Sequence, residues 1–400
     1  METKDRIFKL TGKVQHYAWG GFDYIPGLLG IINAEHKPYA EYWMGAHPSA
    51  SSQIVHSNGQ SSSLYELIQK DATTFIGEEV NNKFKELPYL FKILDVNEML
   101  SIQVHPTKEE AIKGFEREEA AGIPINAPHR NYKDKNHKPE VMVALGDFWL
   151  LHGFKNEAGI KKVLNEEAAF SFLLPVFEKE GYYGLYKTVM EFPQNKVDEV
   201  LAPLIKKLLD NENGFSKKDA AYWAVKLFKN GQPLTNIDRG IFSIYFFNIM
   251  GVHAGEAIFQ GAGIPHAYLQ GQNVELMANS DNVLRGGLTL KHVDVPELLK
   301  HTRFEAVEPL VLKGNENPNG EQNYSCPVED FGISAIRLSA GQSYTGESRS
   351  AEILILIEGN INIKNTPLKL KKGESFLILP LTGYTINALQ DCLIYKAFVP

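Results

Sequence analysis

The chain has 400 residues, 44% hydrophobic and 22% charged, the balance of an ordinary globular protein with room for two or three cores. Its formal charge of −7 argues against a nucleic-acid partner held on a general basic surface, though a few local Lys and Arg side chains could still hold a small anion. No run of 18 apolar residues is present, so no membrane span is expected, and Cys326 and Cys392 lack the CxxC spacing of a redox or metal motif.

The opening "METKDRIFKL" has no apolar signal core and no small-residue cleavage site, so a reducing, cytoplasmic setting without a structural disulfide is expected. Residues 1 to about 60 are rich in Gly, Tyr and Trp around short apolar runs, which predicts short strands separated by turns. "SSSLYELIQKDATTFIGEE" then reads as helical, with Ser63 and Glu66 spaced as a capping box. Residues 88–106 and 139–154 return to strand-like sequence. Between them lie a charged helix, "TKEEAIKGFEREEAAG", and a polar loop, "IPINAPHRNYKDKNHKP".

From about 155 to 235 the period changes to that of a helix. Val197, Val200, Leu201, Leu204 and Leu208 recur on one face, and "SKKDAAYWAVKLFKNGQ" predicts a helix opened by Ser216 and Asp219 and closed on Asn230-Gly231. Strand sequence is expected to resume at "GIFSIYFFNIMGVHAGEAIF", and the last hundred residues are β runs punctuated by Gly and Pro. Many short strands with turn signals favour a sandwich or jelly roll over a parallel sheet, and no GxGxxG or phosphate loop points to a nucleotide fold.

In "SIQVHP", strand alternation puts Ser101, Gln103 and His105 on one face and Ile102 and Val104 on the other. In "NHKPEVMVAL", Lys138 and Glu140 share a face at the start of an apolar strand, a costly place for a lone carboxylate unless a cation offsets it. His137 falls out of phase with Glu140 and is not recruited. In "GEAIFQGAGIPHAYLQG", His266 follows a Gly-rich turn and opens another apolar run. Gln103, His105, Glu140 and His266 together offer two nitrogen and two oxygen donors, a set suited to a divalent metal such as zinc with positions left for water or substrate. His16, His47, His152 and His292 are read as structural or surface residues.

These stretches, with "VELMANSDNVLRGGLT", "HYAWGG" and "AEYWMGAHPSASS", resemble in order the type I mannose-6-phosphate isomerases from about residue 15 to 300. The resemblance implies a mainly β protein with a helical insertion. A cupin-type jelly-roll catalytic domain would comprise residues 1–154 and 236–304, an α-helical domain 155–235, and a second jelly-roll lobe without metal ligands 305–400. It implies an aldose–ketose isomerase interconverting mannose 6-phosphate and fructose 6-phosphate through a cis-enediol, with one Zn2+ per chain held by Gln103, His105, Glu140 and His266. Arg285, Lys138 and Glu275 match catalytic or pocket positions, and Ser101, Lys92 and Lys291 match positions expected to meet the phosphate.

Two departures stand after the arginine: Gly286 where that family usually has Ala, and Leu290 where it usually has Pro. A monomer acting on a small sugar phosphate is expected, without nucleic acid or membrane. Isomerisation of another aldose phosphate, a cupin dioxygenase using Fe(II), and a non-catalytic sugar-phosphate binder are the alternative readings.

Overall fold

The computed structural model describes residues 6–56, 59–211, 214–228 and 231–400. Its N-terminal part holds strands β1 (Ile7–Thr11) and β2 (Lys13–Gln15), helix α1 (Tyr24–Leu29), and strands β3 (Glu41–Gly45), β4 (Gln53–Val55) and β5 (Ser61–Ser63). Helices α2 (Leu64–Lys70), α3 (Ala72–Ile76) and α4 (Glu78–Phe84) lead to β6 (Tyr89–Val96) and β7 (Gln103–Val104). The Ser63 hydroxyl accepts from the Glu66 amide at 3.4 Å, so the predicted cap does open α2. Helix α5 (Lys108–Ala120) and strands β8 (Glu140–Ala144) and β9 (Phe148–Phe154) complete the first half.

Helices α6 (Glu157–Glu166), α7 (Leu174–Glu191), α8 (Gln194–Leu209), α9 (Ala220–Lys226) and α10 (Gly240–Phe246) form the insertion around their own apolar cluster. Asp219 stands at the N-cap of α9 and accepts from the Ser216 amide and hydroxyl, each at 2.8 Å, while the predicted closing Asn230 lies outside the described residues. Residues 240–246 are a helix, where strand sequence was expected to resume. All seven residues of α10 are buried, and a run that is apolar on every face carries neither a period of two nor one of 3.6 to tell the two apart.

Strands β10 (Phe247–Val252), β11 (Ala257–Gln260), β12 (His266–Ala278) and β13 (Leu284–Arg285) and helix α11 (Val295–His301) return the chain to the first lobe. The C-terminal lobe comprises β14 (Asn315–Glu316), β15 (Glu321–Tyr324), β16 (Gly332–Leu338), β17 (Ser343–Ser348) and β18 (Glu352–Glu358), followed by β19 (Asn360–Ile363), β20 (Lys369–Lys371), β21 (Ser375–Ile378), β22 (Thr382–Ala388) and β23 (Cys392–Phe398). No helix among the described residues is long and apolar enough to cross a membrane.

Strand β12 organises the site. Its first residues pair antiparallel with β7 and β9, and its second half pairs with β6 and β8. Between Tyr268 and Gln270 the register slips, and Gly271 turns at φ 123°, where a Cβ would come within 2.6 Å of the Asp147 carbonyl oxygen. The change of partners at this bend curls the sheet around an interior of Leu94, Val96, Met142, Phe148, Leu150 and Tyr268.

The outer face of that sheet packs on the C-terminal lobe, and the Tyr89 hydroxyl donates to the Ala351 carbonyl at 3.0 Å. The N-terminal strands join that lobe as well: β1 lies between β21 and β4 in a sheet ordered β14-β15-β16-β23-β18-β21-β1-β4-β5. Residues 7–11, 53–55 and 61–63 therefore share a sheet with residues beyond 305. A smaller sheet, β17-β22-β19-β20, covers the other side of the C-terminal core. The buried charges there neutralise one another, with the Lys396 ammonium 2.6 Å from Glu321 and 3.8 Å from Glu352.

Candidate metal centre

Only Gln103 and Val104 of "SIQVHP" enter a ladder, but the predicted alternation holds: Ile102 and Val104 are fully buried in apolar surroundings and Gln103 lies on the other face. Gln103 is placed between two partners, pairing with His266 on one side and Arg285 on the other. Residues 103, 266 and 285 therefore lie side by side across three strands although 182 positions separate Gln103 from Arg285.

His105, Glu140 and His266 are all buried, and one donor atom from each lies within 4.8 Å of the others. His105 Nε2 is 3.5 Å from Glu140 Oε1, His266 Nε2 is 3.2 Å from Glu140 Oε2, and the ring centroids are 5.1 Å apart. Each Nδ1 meets a backbone carbonyl at 2.9 Å, that of Asn282 for His105 and that of Ile264 for His266. A carbonyl only accepts, so each Nδ1 carries its proton, and the neutral imidazole is left with its lone pair on Nε2, facing the shared point. His105 Nε2 is buried without a hydrogen-bond partner. Two imidazole lone pairs and a carboxylate converging in a water-poor site, with both rings anchored from behind, fit a divalent metal such as zinc.

Burial pushes His105 down to about 4, which keeps it neutral and able to ligate. Burial alone would raise Glu140, but the Lys138 ammonium at 2.9 Å and the two histidines outweigh it and hold the carboxyl well below its usual range. Lys138 therefore lies on the face predicted for it, committed to the carboxylate of Glu140. His137 turns away, with Nε2 3.0 Å from both oxygens of Asp330.

Beside this centre Lys92 is buried 3.0 Å from Glu275 and 3.6 Å from Glu41, with its ammonium 5.2 Å from the Trp43 ring centroid. Burial would lower Lys92, and the carboxylates of Glu275 and Glu41 more than reverse that. Glu275 is raised above the usual carboxyl range, chiefly by burial and opposed by Lys92. Lys92 is thus committed to carboxylates, and Glu41, which also accepts from the Trp43 indole N–H, was not singled out in the sequence.

The cations at the rim differ. Arg285 is half-buried, and neither it nor Lys291 nor Lys133 has an ion pair among the described residues. Lys291 is lowered by burial first and then by Arg285 and Lys133, so both of those charges lie close enough to act on it, while Lys133 also acts on the Asp281 carboxylate. Lys133 is held there by its amide, which donates to Asn282 Oδ1 at 2.7 Å.

Asn282 is a hub that sequence reasoning missed. Its carbonyl anchors His105, its side-chain oxygen receives the Lys133 amide, and its side-chain nitrogen donates to the carbonyls of Asp134 and Asn136 at 2.8 and 2.9 Å. The only sequence signal was its place in "NSDNVLR". Ser101 precedes Ile102, which exchanges backbone bonds with Gly286 and Gly287. A Cβ on Gly286 would lie 2.9 Å from both Ile102 Cγ2 and the Tyr186 hydroxyl, so the glycine there suits this chain's own packing. Leu290 is fully exposed at the tip of the same loop.

A family model described as the phosphomannose isomerase type I catalytic domain matches residues 7–157. The mannose-6-phosphate isomerase of Salmonella typhimurium is 39% identical over 378 residues, covering 92% of this chain and 94% of that protein. The mannose-6-phosphate isomerase of Homo sapiens is 32% identical over 429 residues, covering 98% of each. A zinc-bound mannose 6-phosphate isomerase structure superposes with a TM-score of 0.86 at 35% identity, covering 98% of this chain and 99% of that one. The Salmonella typhimurium enzyme bound to fructose 6-phosphate and zinc gives a TM-score of 0.86 at 36% identity, with the same coverage.

Proposed function

This chain belongs to the type I mannose-6-phosphate isomerases, and from that membership we propose how its own residues divide the work. The protein is a zinc-dependent mannose-6-phosphate isomerase that interconverts mannose 6-phosphate and fructose 6-phosphate. His105, Glu140 and His266, with Gln103 beside them on the ladder, hold the metal. The observation that carries this is the pair of Nε2 lone pairs facing one buried carboxylate, each ring fixed through Nδ1 by a backbone carbonyl. Bound zinc supplies Lewis acidity toward the sugar oxygens at C1 and C2.

The reaction moves a proton between C2 and C1 through a cis-enediol. Glu275 is assigned to carry it, a carboxyl buried beside the metal ligands and raised above its usual range by that burial. Lys92, itself held by Glu41, fixes that carboxylate in place, and Lys138 fixes Glu140. Arg285 offers charge-assisted N–H donors to the oxygens that gain negative charge. Lys291 and Ser101 bind the phosphate, joined by Lys133, whose charge lies close enough to Lys291 to act on it. Phosphate binding holds the sugar by a part remote from the reacting carbons, which contributes to positioning them.

We infer a monomer in the cytoplasm, where the two free thiols, Cys326 and Cys392, fit a reducing setting. Sedimentation of the pure protein at micromolar concentration tests the first point; a stable dimer would refute it. The functional reading is tested by a coupled assay of mannose 6-phosphate conversion on chelator-treated protein, before and after zinc is restored. Conversion should vanish and return. Activity that survives complete metal removal would overturn the reading, and activity that returns only with iron and oxygen would favour a dioxygenase.

A further inference from the structure

Behind the metal ligands the barrel holds a second polar pair that the proposed chemistry does not use. His152 on β9 lies directly across the ladder from His266 on β12, and Gln260 on β11 lies directly across from Glu140 on β8. Residues opposite each other in an antiparallel ladder point to the same face, so His152 and Gln260 enter the same interior as the ligands. They meet there, with His152 Nδ1 2.7 Å from Gln260 Oε1. Together with the 3.2 Å contact between Glu140 and His266, two ladder pairings and two side-chain contacts close a ring: Glu140, Gln260, His152, His266.

The hydrogen bonding of the pair leaves one group over. An amide oxygen accepts, so His152 donates from Nδ1, and Gln260 Oε1 is occupied. Gln260 Nε2 is buried without a partner, in a residue that is fully buried itself. Two N–H donors left unpaired in a barrel interior are costly unless an acceptor meets them, directly or through a water. The residue paired with Gln260 across the ladder is Glu140, whose carboxylate is an acceptor on the same face. Gln260 is also the last residue before the loop 261–265. In that loop the Ile264 carbonyl anchors His266, and the Gly263 amide donates to the His105 carbonyl at 2.9 Å.

We propose that His152 and Gln260 are positioning residues for the metal centre, the imidazole orienting the Gln260 amide and the amide N–H group supporting Glu140 and the loop that aims His266. The inference rests on the metal reading above. A group that orients a ligand without touching the ion acts on affinity through the geometry it enforces, and loss of such a group typically weakens metal binding by about 10–100-fold.

The test is zinc affinity and zinc release rate, measured by competition with a chromogenic chelator on folded, metal-depleted protein, with far-UV circular dichroism and thermal unfolding as controls. The double variant His152→Phe/Gln260→Leu replaces both partners with apolar groups, leaves neither half unsatisfied and is expected to fold. Its zinc dissociation constant should rise about 10–100-fold, with faster release and an unchanged metal-free fold. Gln260→Met, which keeps the side-chain length, is the second variant should the double one fail to fold, and it should show the same loss. Zinc binding equal to the parent protein in a folded variant overturns the inference and leaves the pair as barrel filling. A parent protein that takes up no zinc overturns the metal assignment itself, and the inference falls with it.

Discussion

Replacing Lys92 by Met is the sharpest test of the buried charge arrangement. The ammonium lies 3.0 Å from Glu275 and 3.6 Å from Glu41, and the side chains are 8%, 5% and 10% exposed, so little solvent screens them. At an effective dielectric constant of about 20 the two attractions come to about 5.5 and about 4.6 kcal/mol, most of it offset by the cost of desolvating the charges. Removing the cation alone leaves two buried carboxylates facing each other, and such a loss typically costs about 3–5 kcal/mol. Lys92→Met/Glu275→Gln, which removes one of those charges, should recover about 2 kcal/mol of that cost.

The assay is equilibrium urea unfolding of metal-free protein, followed by tryptophan fluorescence, so that zinc binding does not add to the folded state. The deficit should shrink as pH falls from 8 to 5. Without Lys92 the folded-state pKa of Glu275 rises further, so stability is lost at high pH and regained once that carboxyl is protonated. A Lys92→Met protein that loses less than about 1 kcal/mol, or a double variant that recovers nothing, would refute the reasoning.

Arg285→Ala should lower turnover by about 100-fold or more while zinc content, measured by mass spectrometry, stays at that of the parent protein. Lys133→Ala should raise KM for mannose 6-phosphate with kcat changed by no more than about twofold, and the effect should weaken at high salt; an unchanged KM would remove Lys133 from phosphate binding. Burial moves the Lys155 ammonium, which donates to the Tyr245 carbonyl at 2.8 Å, down to about 8. Between about pH 8 and the unfolded-state value of about 10.4 the unfolded chain holds a proton that the folded chain has released, so this residue makes stability rise with pH, by about 3 kcal/mol in full. Urea unfolding at pH 7.5 and 10 should show that rise in the parent protein and a smaller one in Lys155→Met; equal rises would refute it.

The cluster of His105, Glu140 and His266 was legible because ligands on strands obey a simple local rule. Gln103 and His105 must share a face, and a carboxylate at the start of the apolar strand headed by Glu140 needs a cation to justify it. Those constraints act within a few residues and can be read without knowing any partner strand. The pairing of β12 with four other strands cannot be read that way. Glu41, Lys133, His152, Gln260 and Asn282 acquire their places only through ladders and hydrogen bonds that span tens to hundreds of positions.

The same limit explains β1, whose partners Ser375 to Ile378 lie at the far end of the chain. Helix α10 escaped for a local reason, since seven buried residues in a row have no polar face to reveal their period. Lys92 shows the two levels in conflict: a lysine in a strand beside the site reads as a phosphate ligand, and two carboxylates from neighbouring strands claim it instead.

The central claim is that one zinc ion binds between His105, Glu140 and His266. A crystal of the zinc-loaded protein, measured on both sides of the zinc absorption edge, tests it most directly. The account predicts one strong anomalous peak per chain, about 2.0–2.2 Å from both Nε2 atoms and from the Glu140 carboxylate. A peak at any other group of residues, with none at this one, would contradict it.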